Sequence, residues 1–159
     1  MKSLIKICLG VLLFLLLCNC TSNSKEAQIR ELNTLANSHF INKNYNEAIM
    51  IFNKLIKIDS PNAIKYIYQR GISQSGLKNF DEAKKDLLFA INSNYNSKYA
   101  YHKLSQNTII QYNDTATALG FINMAYNLDR NDEAIIQYKL LLMGREAAFQ
   151  FTLDSLLSK

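Results

Sequence analysis

The chain has 159 residues, which is enough for one domain of ordinary size, and 48% of them are hydrophobic. It carries 18 basic and 13 acidic side chains, which give a formal net charge of +5. Two of the basic residues, Lys2 and Lys6, stand at the extreme N-terminus, and without them the charge falls from +5 to +3. This small excess gives no basis for nucleic-acid binding, which needs a clustered basic face.

The first 19 residues have the layout of a secretory signal peptide. A short positive start precedes an apolar run from 7 to 18, and polar residues begin at Asn19. The run has twelve residues, well short of the ~20 that a membrane-spanning helix needs, so a one-pass anchor is not favoured. The segment ends in Leu17-Cys18-Asn19-Cys20, which resembles the lipobox of bacterial lipoproteins.

The lipobox resemblance implies that Cys20 is acylated and becomes the new N-terminus. Residues 20–28 are then a tether, and the polar stretch from Thr21 to Lys25 has the composition of a flexible linker. Asn19 stands where the family usually places Gly, Ala or Ser, and ordinary cleavage to a soluble secreted or periplasmic protein is the alternative. We expect a lipid-anchored protein of the cell envelope. The outer membrane, facing the periplasm, is favoured because Thr21 is not the aspartate that some bacteria use for inner-membrane retention.

The body of the chain repeats at a fixed shift of 35 residues. The clearest columns pair an alanine with a large apolar residue four positions on: Ala48 and Phe52, Ala83 and Leu87, Ala118 and Ile122. Apolar residues recur three and four apart within each unit, which is typical of amphipathic helices. A repeat of this length indicates a helical unit stacked on copies of itself. The predicted helix pairs are 29–41 with 44–57, 64–75 with 79–92, and 99–111 with 114–127.

These columns resemble the tetratricopeptide repeat over residues 29–132. The resemblance implies an all-α, right-handed helical-repeat solenoid that binds other proteins. Arg70-Gly71 fits the family's small position in the first helix of the second repeat, whereas Ser105 and Gln106 fit poorly in the third. The period of 35 is one residue longer than the usual ~34.

Residues 133–159 are rich in apolar side chains, and Leu153 and Leu157 keep the phase of Ala118 and Ile122. We expect a truncated fourth repeat or capping helix, with a break at Gly144. The alternative is a dimer or partner contact, because a cap should present a polar outer face.

The sequence contains no catalytic set, no cofactor motif and no metal-ligand spacing. All three cysteines lie in the first 20 residues, and the histidines His39 and His102 are expected to be packing or edge residues. We therefore predict a protein that is not an enzyme and needs no cofactor or metal.

The resemblance also implies a concave groove lined by the first helix of each repeat. Carried over to this chain, the groove positions include Phe40 and the following candidates: Asn33, Asn37, Lys65, Tyr68, Ile72, Lys103 and Asn107. The basic clamp that some family members use for a peptide's C-terminal carboxylate is broken, since asparagines stand in basic positions. Tyr68 between two lysines is the predicted aromatic anchor.

The expected role is that of a membrane-tethered scaffold or assembly factor that holds a protein or peptide partner in the bacterial envelope. A chaperone-like peptide binder and an accessory subunit of an envelope enzyme are the alternatives. The oligomeric state stays open.

Overall fold

The computed structural model describes residues 24–157, which form seven α-helices and one 3-10 turn but no strand. The predicted signal peptide and Cys20 lie outside these residues. The helices are α1 over 24–41, α2 Tyr45–Ile58, α3 Ala63–Gly76, α4 Phe80–Asn92, α5 Ser97–Tyr112, α6 Thr115–Leu128 and α7 Glu133–Leu157. Each of α2 to α6 packs on the helix that follows it, so the predicted all-α, right-handed repeat solenoid is confirmed.

The helix bounds agree with the sequence prediction to within two residues from α2 to α6. Helix α1 begins earlier than predicted, because residues 24–28, assigned to the tether, are helical and exposed. A short 3-10 turn, Ser60–Asn62, joins α2 to α3, and its proline needs no backbone N–H donor there.

The second helices of the repeats supply most of the core. The predicted alanine and large apolar columns are fully buried: Ala48 and Phe52, Ala83 and Leu87, Ala118 and Ile122. Leu55, Ala90 and Ala125, three residues further on, are also 0% exposed. The 35-residue period therefore describes the packing of α2, α4 and α6.

The turns inside the first two repeats share one motif. Lys43 and Lys78 have φ values of 60° and 62°, and the next residue donates its N–H to the carbonyl five positions back. This left-handed residue and 6→1 bond define a Schellman motif, which closes the carbonyl end of α1 and α3.

The turn of the third repeat differs. Asn113 also has a positive φ, 53°, but its own N–H donates to the carbonyl of Ile109, which is the simpler αL motif. Asp114 then caps α6 by accepting the N–H of Thr117 at 3.0 Å. This turn has two residues, 113–114, where the earlier turns have three, and α5 has 16 residues against 14 in α3. The spacing from the first helix to the core alanine of the second helix is therefore one residue longer in the third repeat.

Helix α7 is continuous from residue 133 to 157, so the predicted break at Gly144 is wrong. A glycine inside a helix costs only about 1 kcal/mol relative to alanine, too little to break a helix of this length. The first half of α7 buries Ile135 and Leu142 against α6 and so caps the last repeat. Although α7 has 25 residues, neither it nor any other helix within 24–157 is long and apolar enough to cross a bilayer.

Arg70 forms a partly buried ion pair within the second repeat and links that repeat to the first by a hydrogen bond. Arg70 on α3 donates from Nε and Nη2 to the two carboxylate oxygens of Asp86 on α4, each at 2.7 Å. Its Nη1 donates to Oδ1 of Asn53 on α2 at 2.6 Å. The bidentate hydrogen bonds to Asp86 raise the pKa of Arg70 and fix the angle between three helices.

Helices α3 and α4 pack closely at Gly71. A Cβ built on Gly71 would lie 2.9 Å from Asp86 Cβ and 3.3 Å from Leu87 Cγ. We expect Gly71→Leu to lower the free energy of unfolding by about 1–3 kcal/mol through overpacking, as measured by urea denaturation. Gly120→Ala is the control, because no atom lies within 4 Å of its added Cβ, and it should raise stability by roughly 0.5–1 kcal/mol. Equal effects of the two changes would contradict the close approach.

Candidate functional site

The first helix of the third repeat is out of phase with the 35-residue period. The small residue of the first helix precedes the core alanine by 12 positions in two repeats, as in Ala36–Ala48 and Gly71–Ala83. In the third repeat the buried small residue is Ser105, 13 positions before Ala118. Its Oγ donates to the carbonyl of Ala118 at 2.6 Å.

This shift corrects the sequence alignment of α5. Ser105, which fits poorly at a shift of 35 from Arg70, corresponds to Gly71 at a shift of 34. One residue turns a helix face by about 100°, because a turn takes 3.6 residues. The groove positions predicted for α5 are therefore displaced by one.

A concave groove of about 420 Å³ runs along the first helices of the repeats. Its lining comes from α1, α3 and α5: Phe40, Tyr68, Gln69, Ile72, Tyr99, His102, Lys103 and Gln106. On α5 these residues are spaced three, one and three apart, which places them on one face of the helix. The predicted residues Phe40, Tyr68, Ile72 and Lys103 are thus brought together.

The other predicted groove residues lie elsewhere. Asn107 is only 6% exposed and donates its amide to Ser75 Oγ at 2.8 Å, so it joins α5 to α3 inside the stack. Asn37 accepts from Gln69 Nε2 at 3.1 Å at the edge of the groove. Neither Asn33 nor Lys65 is among the lining residues, and Lys65 Nζ lies 5.7 Å from the ring centroid of Tyr66.

One side of the groove is aromatic. Tyr68 packs edge-on against Tyr95, with ring centroids 5.7 Å apart. Burial, with Tyr95 and Tyr99 nearby, raises the pKa of Tyr68 to about 12. The phenol is therefore neutral at physiological pH and can donate a hydrogen bond.

The other side of the groove is polar and carries one lysine. Lys103 Nζ donates to Gln106 Oε1 at 2.7 Å, and Gln106 Nε2 lies 3.1 Å from His102 Nε2. The His102 ring also packs against Tyr138 of α7, 5.0 Å away, as expected of a packing histidine. Burial lowers the pKa of Lys103, and burial with the Lys103 charge lowers the pKa of His102, which leaves the imidazole neutral at pH 7.

Behind the groove surface lies a buried carbonyl oxygen that has no hydrogen-bond donor among the described residues. Gln69 Oε1 is buried and accepts no hydrogen bond from any described protein atom, while its Nε2 is held by Asn37. A buried acceptor without a donor costs about 1–3 kcal/mol, so this oxygen lowers the stability of the fold.

The arrangement is suited to binding rather than to chemistry. Within residues 24–157, no three His, Cys, Asp or Glu side chains are grouped so as to hold a metal ion. The groove pairs an aromatic surface with one lysine and neutral donors.

Sequence reasoning missed Gln69, Tyr99, His102 and Gln106. The signal for them is the spacing: residues 99, 102, 103 and 106 reproduce residues 65, 68, 69 and 72 at a shift of 34. Because the columns of α2, α4 and α6 follow a shift of 35, the change in α5 is visible only once Ser105 is known to be buried.

The stacked antiparallel helices and the groove along their first members define a helical-repeat protein. Residues 32–62 match the family model of the tetratricopeptide repeat, and no curated protein matches the chain. Similar solved structures share its fold at low sequence identity. The first tetratricopeptide domain of Spaghetti (RPAP3), bound to the HSP90 peptide SRMEEVD, is 21% identical with a TM-score of 0.62, over 75% of this chain and 93% of that one.

Two further solved structures have a similar fold. The Arabidopsis OM64 tetratricopeptide domain is 18% identical with a TM-score of 0.62, over 74% of this chain and 96% of that one. The Yersinia enterocolitica type III secretion chaperone SycD, in complex with a peptide of the translocator YopD, is 15% identical with a TM-score of 0.61. That match covers 79% of this chain and 94% of SycD. These likenesses establish the tetratricopeptide-type fold.

The corrected register of α5 makes a direct prediction about neighbouring residues. Asn107→Ala should lower the free energy of unfolding by about 1–2 kcal/mol, because it leaves Ser75 without its buried donor. Gln106→Ala removes a groove side chain and should leave stability within about 0.5 kcal/mol of the wild type. Urea denaturation of both variants measures these free energies of unfolding. A larger loss of stability for Gln106→Ala than for Asn107→Ala would favour the 35-residue register of α5 instead.

Proposed function

We propose that the protein is a non-enzymatic interaction module that holds an extended peptide segment of another protein in this groove. The observation that carries the proposal is the pairing of Tyr68 and Tyr99 with the partly buried Lys103 across one open groove. An apolar side chain of the segment would lie on the aromatic side. A carboxylate would pair with Lys103.

The burial of Lys103 makes its charge useful for recognition. A cation that has already lost part of its hydration gives up less on meeting a carboxylate than a fully solvated one does. Aromatic residues bury a large area at a low cost in conformational entropy, and such anchors often dominate binding energy. The groove therefore suits a segment that combines an apolar side chain with one acidic group.

The similar structures support a peptide ligand. RPAP3 and SycD are both seen with bound peptides. The RPAP3 peptide, SRMEEVD, ends in the sequence Glu-Glu-Val-Asp and so has three acidic residues among its last four. This chain has a single cation in the groove, so we do not expect it to grip a C-terminal carboxylate with paired basic residues. An internal segment fits the groove better.

We further propose that the protein is a scaffold or assembly factor of the bacterial envelope, tethered through acylated Cys20, with the outer membrane as its site. The signal layout and the lipobox-like Leu17-Cys18-Asn19-Cys20 support this. A chaperone-like binder of many extended clients is the second candidate, favoured by the open and partly apolar groove.

The double variant Tyr68→Ala with Lys103→Ala should weaken partner capture at least about tenfold, since it removes the aromatic anchor and the charge together. Capture is measured by in-cell crosslinking of the tagged full-length chain and mass spectrometry. The matched control is Tyr112→Ala with Lys85→Ala, which removes an exposed tyrosine and an exposed lysine outside the groove. Equal capture by both double variants would refute the groove as the binding face.

The identity and number of the captured proteins distinguish a dedicated scaffold from a chaperone-like binder. One dominant partner in stoichiometric amount supports a dedicated scaffold, whereas a diffuse set of extended clients supports a chaperone.

Cys20→Ser should release the protein from membranes after detergent-free lysis, because the anchor would be lost. Fractionation followed by immunoblotting measures the membrane-bound share, and Cys18→Ser is the control that keeps the predicted acylation site. Membrane retention by Cys20→Ser equal to that of the control would eliminate the lipid anchor.

A further inference from the structure

The outer face of α7 is an apolar surface that no described helix covers. In each repeat the small residue of the first helix is buried by the second helix, and it follows the previous core alanine by 23 or 22 positions, as in Ala48–Gly71 and Ala83–Ser105. The same count from Ala118 reaches Leu141 and Leu140, which are 59% and 56% exposed. The face that would receive the second helix of a fourth repeat is therefore open.

Four residues form a stripe along this face, which we call the outer stripe: Leu140, Gly144, Ala147 and Phe151. Their spacing of four, three and four residues places them on one side of the helix. All four are exposed, Phe151 to 77%. The stripe reads the same in both directions, with a large residue at each end and small residues between them.

We propose that the outer stripe packs against the outer stripe of a second copy of this chain, antiparallel and about a two-fold axis. A two-fold interface must be complementary to itself, and a palindromic stripe meets that condition. Leu140 of one copy then lies opposite Phe151 of the other, and Gly144 lies opposite Ala147. The small residues in the middle let the two helix backbones approach closely.

The length of α7 agrees with this pairing. With 25 residues it is about 37 Å long, against about 21 Å for the 14-residue α6 on which it rests. The described side chains from residue 147 to 154 are all exposed, so the C-terminal half extends beyond α6. In the dimer this half lies across the seated half of the second copy's α7, where the missing helix of a fourth repeat would lie.

Charge favours the antiparallel direction. Lys139 and Asp154 are 15 residues apart, which puts them on the same side of the outer stripe, about 60° from each other around the helix. Within one copy, Lys139 Nζ lies 4.1 Å from the ring centroid of Tyr126 on α6, so it must turn away from that ring to meet Asp154 of a second copy. Antiparallel pairing brings Asp154 of one copy close to Lys139 of the other. Parallel pairing would instead align the two helix dipoles unfavourably.

The first test is the oligomeric state of the full-length chain, by sedimentation velocity in a density-matched mild detergent. We expect a dimer at micromolar concentration. Leu140→Glu with Phe151→Glu should raise its dissociation constant at least about a hundredfold, because charges replace apolar contacts. Met124→Glu with Leu128→Glu adds the same charge at two exposed apolar positions of α6 and should leave the dimer intact. Circular dichroism checks that each variant keeps its helices.

The second test addresses the direction of pairing. Copies with Leu140→Glu mixed with copies with Phe151→Lys should form mixed dimers in preference to either self-dimer, because the altered positions face each other. A photoreactive p-benzoylphenylalanine in place of Leu141 should crosslink in cells to α7 of a second copy. A monomeric wild type would overturn the proposal, and so would crosslinks from this position to lipid or to another protein in place of a second copy.

Discussion

The close crossing of the two helices within each repeat is the constraint on which the rest of the structure depends. At each crossing a small residue of the first helix meets the second helix near its core alanine, as Gly71 meets the backbone of Ala83. Because no large side chain fits there, the helices lock at one angle and expose the opposite face of each first helix. That face is the groove. The Arg70–Asp86 pair adds a directional restraint that apolar packing alone lacks.

Much of this architecture could be read from the sequence. The alanine columns at 48, 83 and 118 predicted the second helices and their burial, because core packing tolerates little change in volume and so leaves a clear periodic trace. The groove residues show a weaker periodic pattern in the sequence than the core residues do. Groove residues face solvent or a ligand, so nothing in the packing fixes their identity. Asn107 and Gln106 could be told apart only once Ser105 was known to be buried.

The continuity of α7 was hidden for a different reason. A glycine after an apolar run is a common helix stop, but Gly144 makes no close contact and has a helical backbone. A glycine in the interior of a helix is less favourable than an alanine by about 1 kcal/mol, and the packing of the surrounding residues can outweigh this difference. The same exposed and mostly apolar stretch that obscured the end of the fourth unit gives α7 its uncovered face.

The spacing from Ser105 to Ala118, one residue longer than in the other repeats, has a consequence for how such proteins diversify. The second helices keep the 35-residue phase and hold the core, while a change from a Schellman to an αL turn lets the first helix rotate by one position. The rotation exchanged Asn107 for Gln106 in the groove without altering any residue of the α6 core. Insertions at these turns therefore offer evolution, or a designer, a way to change the recognition surface while keeping the scaffold that supports it.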